Sequence, residues 1–458
     1  MFKFTSKPIA EHAEAPLADE GRWENLVAAW QARRTPAEAA DGAGVAVYVV
    51  SVGAERDPHA REAQLAEITS LVQHQGDRVV GQEIRHLSAP NPRTFLGKGT
   101  AQEIAQRARE AGATMLVLDA ELSPSQTRNL EDEAGIAVCD REAVILNVFL
   151  RHARTKRARM QVEIAQLQYL RPRIRGVGLD MDQQTGATKN ARGPGETASE
   201  LMARQIDRRL AELAKALRRV GTSSETQRQQ RDACKRIALV GYTNAGKTSL
   251  MNALTSAGLS ARDMPFETLD TTSRCLTRHG GDVLLSDTVG FIRRLPERLL
   301  ASFESTLAEI SEASLLVLVI DAGDDEWKLH IETTLGVLAR LGASDVPRFY
   351  VFNKADRLAA VDAELCARWA EGHPWASLSS RDGPAVEALR ERLLAAVQRR
   401  DAAASIFVPY EATRALSLVY ARCRVVASEA GPGGVTLEVE GPPEIIAQLP
   451  KAIAEVQP

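Results

Sequence analysis

The chain has 458 residues, of which 44% are apolar and 26% charged. That is the composition of a globular protein of about three domains, not of a disordered chain. Lys and Arg number 57 against 60 Asp and Glu, a net charge of -3, which excludes a uniformly basic nucleic-acid coat but leaves room for a local basic patch.

Residues 1–42, rich in Ala, Pro and acidic side chains without sustained periodicity, are expected to form a mobile or loosely docked tail. Over residues 43–140 short apolar runs alternate with helical stretches. The runs are 45–50 (VAVYVV), 78–84, 115–120 (MLVLDA) and 136–139 (IAVC); the helices are expected near 59–74, after Thr100 and after Ser123. That alternation implies βαβ units and a mostly parallel sheet. Thr100 with Glu103, and Ser123 with Gln126, match the capping-box pattern, and Pro124 stands at a first helical position.

Residues 141–221 change character. Helical sequence runs to about Tyr169, and a second run over 197–220 carries Met202, Ile206, Leu210, Leu213, Leu217 and Val220 at spacings of four and three, an apolar stripe suited to helix pairing. A Gly/Arg/Pro loop, 171–196, lies between them, so the two are expected to pair as a helical hairpin. A polar linker, 221–235, follows. Residues 236–400 form a second α/β segment, whose β-rich runs IALVGYTN, LLSDTVGF, LLVLVIDA, RFYVFNKAD and WASLSS suit a buried parallel sheet. Residues 401–458 form a small module with strand-like SIFVPY and VTLEVEG around a helix over 411–428.

The clearest chemical signal is Gly241-Tyr242-Thr243-Asn244-Ala245-Gly246-Lys247-Thr248, between a strand-like run and a helix-like one. Glycines let successive backbone N–H groups turn onto phosphate oxygens, and the helix that follows adds its positive end. Lys247 would reach the β- and γ-phosphates and the Thr248 hydroxyl would bind Mg²⁺. Downstream, Asp287-Thr288-Val289-Gly290 closes a strand, placing a carboxylate beside the Mg²⁺ and the Gly290 N–H near a γ-phosphate oxygen. Asn353-Lys354-Ala355-Asp356 closes another. A carboxylate at Asp356 can accept from both N1–H and the 2-amino group of guanine, an edge that adenine lacks, while Lys354 covers the base with its stem. Ser379-Ser380-Arg381 suits backbone contact with the guanine oxygen. Taken in order, these motifs form a GTP site.

Phe266-Glu267-Thr268-Leu269-Asp270 lies between the phosphate loop and Asp287. As a bare sequence it is a polar loop in which Thr271 and Thr272 compete with Thr268 for any metal-binding role. After Gly290 comes Phe291, where many GTPases carry a Gln that orients the attacking water. Slow intrinsic hydrolysis is therefore expected, with another group placing the water. Arg151, Arg154, Lys156, Arg157 and Arg159, then Arg171, Arg173 and Arg175, form a basic stripe that suits RNA phosphates or is a solvated helix face. Gly97-Lys98-Gly99 is either an anion-binding loop or a plain helix entry. Trp327, Trp369 and Trp375 are read as packing residues. The five cysteines, scattered and odd in number, show no disulfide framework and no zinc spacing.

These motifs resemble the HflX GTPases of bacteria, as do segments outside them: FLGKGTAQEI (95–104), LSPSQTRNLE (122–131), QVEIAQLQYLRPR (161–173) and RGPGET (192–197). The likeness runs from about residue 45 onward and is weakest near the end. It implies an α/β multidomain fold: an N-terminal βαβ domain with a long helical hairpin, a Ras-like P-loop GTPase domain and a small α+β C-terminal domain. It implies a monomeric cytoplasmic Mg²⁺-dependent GTPase that cycles between GTP and GDP, binds the large ribosomal subunit and its RNA, and separates stalled ribosomes under stress. It makes Thr268 the switch hydroxyl that completes Mg²⁺ coordination. Asn244 is either a K⁺ ligand, as in similar GTPases, or simply a turn residue. The loop over 178–192 is longer than the family's, and ASELMARQIDRR departs from the usual QLETDRR. Two other readings stay open: an RNA remodeller timed by GTP, and a regulatory GTPase recruiting a protein, with no lipidation motif and at most peripheral membrane contact.

Overall fold

The structure is a computed structural model and describes residues 44–53, 57–176, 198–229, 235–255, 272–277, 283–359, 361–398, 402–410, 412, 416, 419–420, 423–441, 446–447 and 449. The leading tail, the FETLD segment and most of the Gly/Arg loop lie outside these residues.

The first sheet is parallel, in the order β2-β1-β3-β4. Its strands are β1 (Ala46–Gly53), β2 (Arg78–His86), β3 (Met115–Leu118) and β4 (Ala137–Asp140), with α1 (Pro58–His74), α2 (Lys98–Glu110) and α3 (Pro124–Ala134) between them. Alternating β1 residues serve two cores: Val47 and Val49 face one side, Tyr48, Val50 and Val52 the other. The Ser123–Gln126 capping box at α3 forms in full. The expected Thr100–Glu103 box does not. α2 starts three residues earlier, with Gly97 at the cap position and no side-chain cap, and Glu103 pairs with Arg85 instead.

The helical sequence after Arg141 is two helices, not one: α4 (Arg141–His152) and α5 (Lys156–Leu170). Ala153 turns extended and the Thr155 side chain caps α5 by accepting from the Ala158 N–H. α4 is buried among the residues of the first sheet, whereas α5 packs with α6 (Ala198–Gln229) through Met160, Leu167, Ile206 and Leu213. α6 continues nine residues past the expected stripe into the supposed linker. No proline interrupts it there, and a single interior glycine costs only about 1 kcal/mol.

The tip of α5 corrects another expectation. Residues 171–176 form a 3₁₀ turn, and Arg173, expected to project with the loop, is folded inward. Its guanidinium donates to Asp140 Oδ2 at 3.0 Å, to the Leu122 carbonyl at 2.7 Å and to the Tyr169 carbonyl at 3.0 Å, and lies over the Tyr169 ring. Asp140 is fully buried, also caps α4 and accepts from the Tyr169 hydroxyl. Arg173 thus ties the hairpin to the end of β4. Arg173→Glu should destabilise the protein by about 3–5 kcal/mol, because it sets a second carboxylate against buried Asp140. Chemical denaturation with an unchanged midpoint would return Arg173 to the loop.

The second sheet runs β10-β9-β8-β5-β7-β6. It contains β5 (Lys235–Val240), β6 (Thr272–Thr277), β7 (Val283–Asp287), β8 (Leu315–Asp321), β9 (Arg348–Asn353) and β10 (Trp375–Ser377). All neighbours are parallel except the edge strand β6, which pairs antiparallel with β7 and was not foreseen, being short and polar. Helices α7 (Lys247–Thr255), α8 (Glu297–Ser311), α9 (Trp327–Arg340), α10 (Ala363–Trp369) and α11 (Gly383–Gln398) complete this segment. The tryptophans pack as expected: Trp327 meets Trp369 and Phe352 edge-on at 5.6 Å, and Trp375 meets Phe352 at 6.1 Å.

The last sheet is antiparallel, β11-β13-β12, from β11 (Ala402–Pro409), β12 (Arg424–Gly431) and β13 (Gly434–Gly441). Residues 424–428, expected as the end of a helix, are strand. The Gly431-Pro432-Gly433-Gly434 turn makes a hairpin there, and a ladder of paired residues outweighs local helical preference. Among the described residues no helix is long and apolar enough to cross a membrane.

Candidate active site

The site lies at the C-terminal ends of the β5, β7, β8 and β9 strands, where a parallel sheet opens toward a ligand. β5 delivers the loop from Gly241 to Gly246, and α7 begins at Lys247. Two glycines are demanded by geometry. Gly241 has φ 151° and a Cβ there would stand 2.2 Å from the Val319 carbonyl oxygen; Gly246 has φ 90° and its Cβ would meet Asn353 Nδ2 at 2.4 Å. Asn244 takes the left-handed φ of 61°, which its short polar side chain tolerates.

Lys247 is buried, and its ammonium donates to the Gly241 and Tyr242 carbonyls at 3.2 and 2.9 Å. Burial lowers its pKa to about 8; the Asp287 charge opposes the shift and Lys354 adds to it. The Thr248 hydroxyl donates to Asp287 Oδ2 at 2.7 Å. A hydroxyl and a carboxylate at the head of a helix are hard oxygen donors, and that pair fits Mg²⁺, which takes few protein ligands and keeps its waters. The cation would offset charge on the phosphates.

Gly290 sits against Thr243 and the Lys247 ammonium. The next residue is tied down by its backbone: Phe291 N–H donates to the Gly241 carbonyl at 3.0 Å and Thr243 N–H to the Phe291 carbonyl at 2.7 Å. The Phe291 ring is fully buried in the apolar core. Neither its chemistry nor its direction serves an attacking water. Thr288 and Val289 are buried too, with the Thr288 hydroxyl on the Leu239 carbonyl, so their side chains are structural.

At the base end, Asn353 is fully buried and spans two loops. Its Nδ2 donates to the Ala245 carbonyl at 3.0 Å and its Oδ1 accepts from the Ser380 N–H at 3.1 Å. Lys354, at φ 58°, returns over the phosphate loop to the Asn244 carbonyl at 2.6 Å. Ala355 N–H donates to the Leu378 carbonyl, and Arg381 N–H to the Ser379 hydroxyl. Asp356 is exposed, and a hydrogen bond from the Ser379 side chain holds its pKa below the usual carboxylate value. The structure thus brings phosphate loop, DTVG, NKAD and SSR next to one another at the strand ends. Phe266, Glu267, Thr268, Leu269 and Asp270 lie outside the described residues.

A polar junction beside the site was not legible in the motifs. The Tyr242 side chain leaves the phosphate loop, stacks on His330 at 3.7 Å and donates its hydroxyl to Glu67 of α1. The same hydroxyl accepts from the Arg293 N–H at 3.0 Å. Burial, then the Glu67 charge, raises the Tyr242 pKa, and burial lowers that of His330. Arg141 pairs with Glu67 and with Asp119 (2.6 Å) and donates to the Arg293 carbonyl at 2.9 Å. Arg293 also pairs with Glu326, and Arg298 with Glu142 at 2.9 Å. The first sheet therefore grips the segment that follows DTVG. The adjacent Arg293-Arg294 pair, two residues after Phe291, was the only hint in the sequence.

Three family models match the chain: GTP-binding GTPase N-terminal over residues 62–150, GTP-binding GTPase Middle Region over 152–231, and 50S ribosome-binding GTPase over 236–354. The GTPase HflX of Gluconacetobacter diazotrophicus is 38% identical over 87% of this chain and 95% of its own. That of Alkalihalophilus pseudofirmus is 41% identical over 68% and 74%. A GTP-binding protein of Sulfolobus solfataricus, solved with GDP, aligns at 24% identity over 78% of this chain and 99% of its own, with a TM-score of 0.42. The chain belongs to the HflX family of GTPases, enzymes that bind GTP and hydrolyse it to GDP and phosphate.

Proposed function

We propose that this chain couples GTP hydrolysis to binding of the large ribosomal subunit in the cytoplasm and separates stalled or idle ribosomes under stress. In this reading the backbone of residues 241–248 and the Lys247 ammonium hold the β- and γ-phosphates. Thr248 and Thr268 ligate Mg²⁺, Asp287 acts on it through water, and the Gly290 N–H meets the γ-phosphate. Asp356 reads the guanine edge, Lys354 covers the base, and the Ser379-Ser380-Arg381 backbone faces the guanine oxygen. Residues 43–140, 141–221, 236–400 and 401–458 act together as the parts of this machine.

One observation carries the ribosomal half. Arg151, Arg154, Lys156 and Arg159 are all exposed where α4 gives way to α5, making a basic knuckle on a chain of net charge -3. Such a patch suits RNA phosphates, and removing one side chain that binds a phosphate should lower the salt slope by about 1. Replacing Arg151, Arg154 and Arg159 with Glu should leave GTP turnover intact and sharply weaken co-sedimentation with large subunits in a non-hydrolysable GTP analogue. Wild-type sedimentation by that variant, or equal sedimentation under GDP and the analogue, would overturn the reading.

Asn244 belongs to the same reading as a K⁺ ligand near the phosphates. Exchanging K⁺ for Na⁺ at equal ionic strength should slow turnover, and Asn244→Ala should erase the difference. Equal rates in both salts would leave Asn244 a turn residue.

A further inference from the structure

Asp321 ends β8, and strand register sets it directly opposite Asn353, the first residue of NKAD. The Ala322 N–H donates to the Asn353 carbonyl at 2.9 Å, so the two strand ends are joined. The Asp321 side chain is only 12% exposed. Its Oδ1 accepts from the Gly323 N–H at 3.0 Å, which fixes the rotamer, and its Oδ2 meets the Lys354 ammonium at 2.7 Å. The same ammonium donates to the Asn244 carbonyl at 2.6 Å. Arg357 stands farther from the carboxylate, at 3.5 Å. Lys354 is thus held at its tip by two fixed acceptors, one on β8 and one on the phosphate loop. Its aliphatic stem is stretched between NKAD and Gly246, whose Cβ would lie 3.7 Å from Lys354 Cε.

We propose that Asp321 is a positioning residue for guanine-nucleotide binding, which holds the Lys354 stem in place before the base arrives. The proposal rests on the reading of Lys354 as the residue that covers the base. A long, flexible side chain loses rotamer freedom when a ligand orders it, and a lysine already tethered loses less on binding. Removing the carboxylate frees one hold on the lysine tip, so part of that ordering cost returns when the ligand binds. The Asp321 carboxylate bonds Gly323, Lys354 and Arg357, not Lys247 or Thr248, so the effect should fall on affinity ahead of catalysis.

The test is the release of a fluorescent GDP analogue, chased with excess GDP, from wild type, Asp321→Ala, Asp321→Asn, Lys354→Ala and the Asp321→Ala/Lys354→Ala double variant. Asp321→Ala should speed release by up to about tenfold, the ordering cost of one long side chain, and raise KM for GTP more than it lowers kcat. Asp321→Asn, which keeps an acceptor oxygen, should recover most of the loss. The double variant should release GDP no faster than Lys354→Ala alone, since both changes remove one effect. Wild-type release by Asp321→Ala beside fast release by Lys354→Ala would overturn the proposal and leave the base site standing. Additive effects in the double variant would overturn it as well. Wild-type release by Lys354→Ala would instead overturn the base-site reading on which it rests.

Discussion

Lys247→Ala is expected to lower GTP turnover by about 10²-fold or more, the usual loss when one preorganised charge-stabilising donor is removed, while the nucleotide-free protein unfolds no more easily than the wild type at neutral pH. The second half follows from burial. The ammonium is held by two backbone carbonyls, not by a close carboxylate, and desolvation lowers its pKa to about 8 from 10.5. Between those values the unfolded chain holds a proton that the folded chain has lost, so stability without nucleotide rises with pH across that window. Below it the lysine is charged in both states and the full cost of burial is present. Bound phosphates would restore the proton, so GDP affinity should fall as pH rises above about 8. Titration calorimetry between pH 7 and pH 10 should show proton uptake in the wild type and none in Lys247→Ala. A pH-independent wild-type affinity would remove Lys247 from the phosphates.

Asp356→Asn should change which base the site accepts. The Ser379 hydroxyl keeps Asp356 ionised well below neutrality, so the wild-type group is a two-oxygen acceptor matched to N1–H and the 2-amino group of guanine. The amide keeps one acceptor and offers an N–H₂ that opposes the 2-amino group but complements the 2-oxo group of xanthine. GTP affinity should fall on the order of 10²-fold, as when a site built to hydrogen-bond a group meets a mismatched one, and xanthosine triphosphate should become the better substrate. Unchanged GTP affinity by calorimetry would separate Asp356 from base recognition. Because the residue is exposed, the fold should be indifferent to the change.

The sequence alone determined what depends on short spacing. Gly241 to Thr248 is read at once because phosphate binding needs adjacent backbone N–H groups, and Ser123 to Gln126 because a cap closes within one turn. The three parallel strands of the second sheet that lead into the phosphate loop, DTVG and NKAD are largely buried apolar runs, which polar loops must bound. The alternation of β1 between two cores is local in the same way. Where local preference was weak, the sequence misled: residues 424–428 look helical until β13 pairs with them, and only the capping Thr155 marks the break at Ala153. Only the tertiary structure decided the long-range charges. Arg173 reads as a loop arginine until Asp140, 33 positions away, is seen buried beneath it. Glu67, Arg141, Tyr242 and Arg293 are ordinary residues in four separate stretches, and folding makes them one junction beside the GTP site. A buried charge must find its opposite somewhere, but which one it finds is set by how the sheets pack, and that is not written in neighbouring residues.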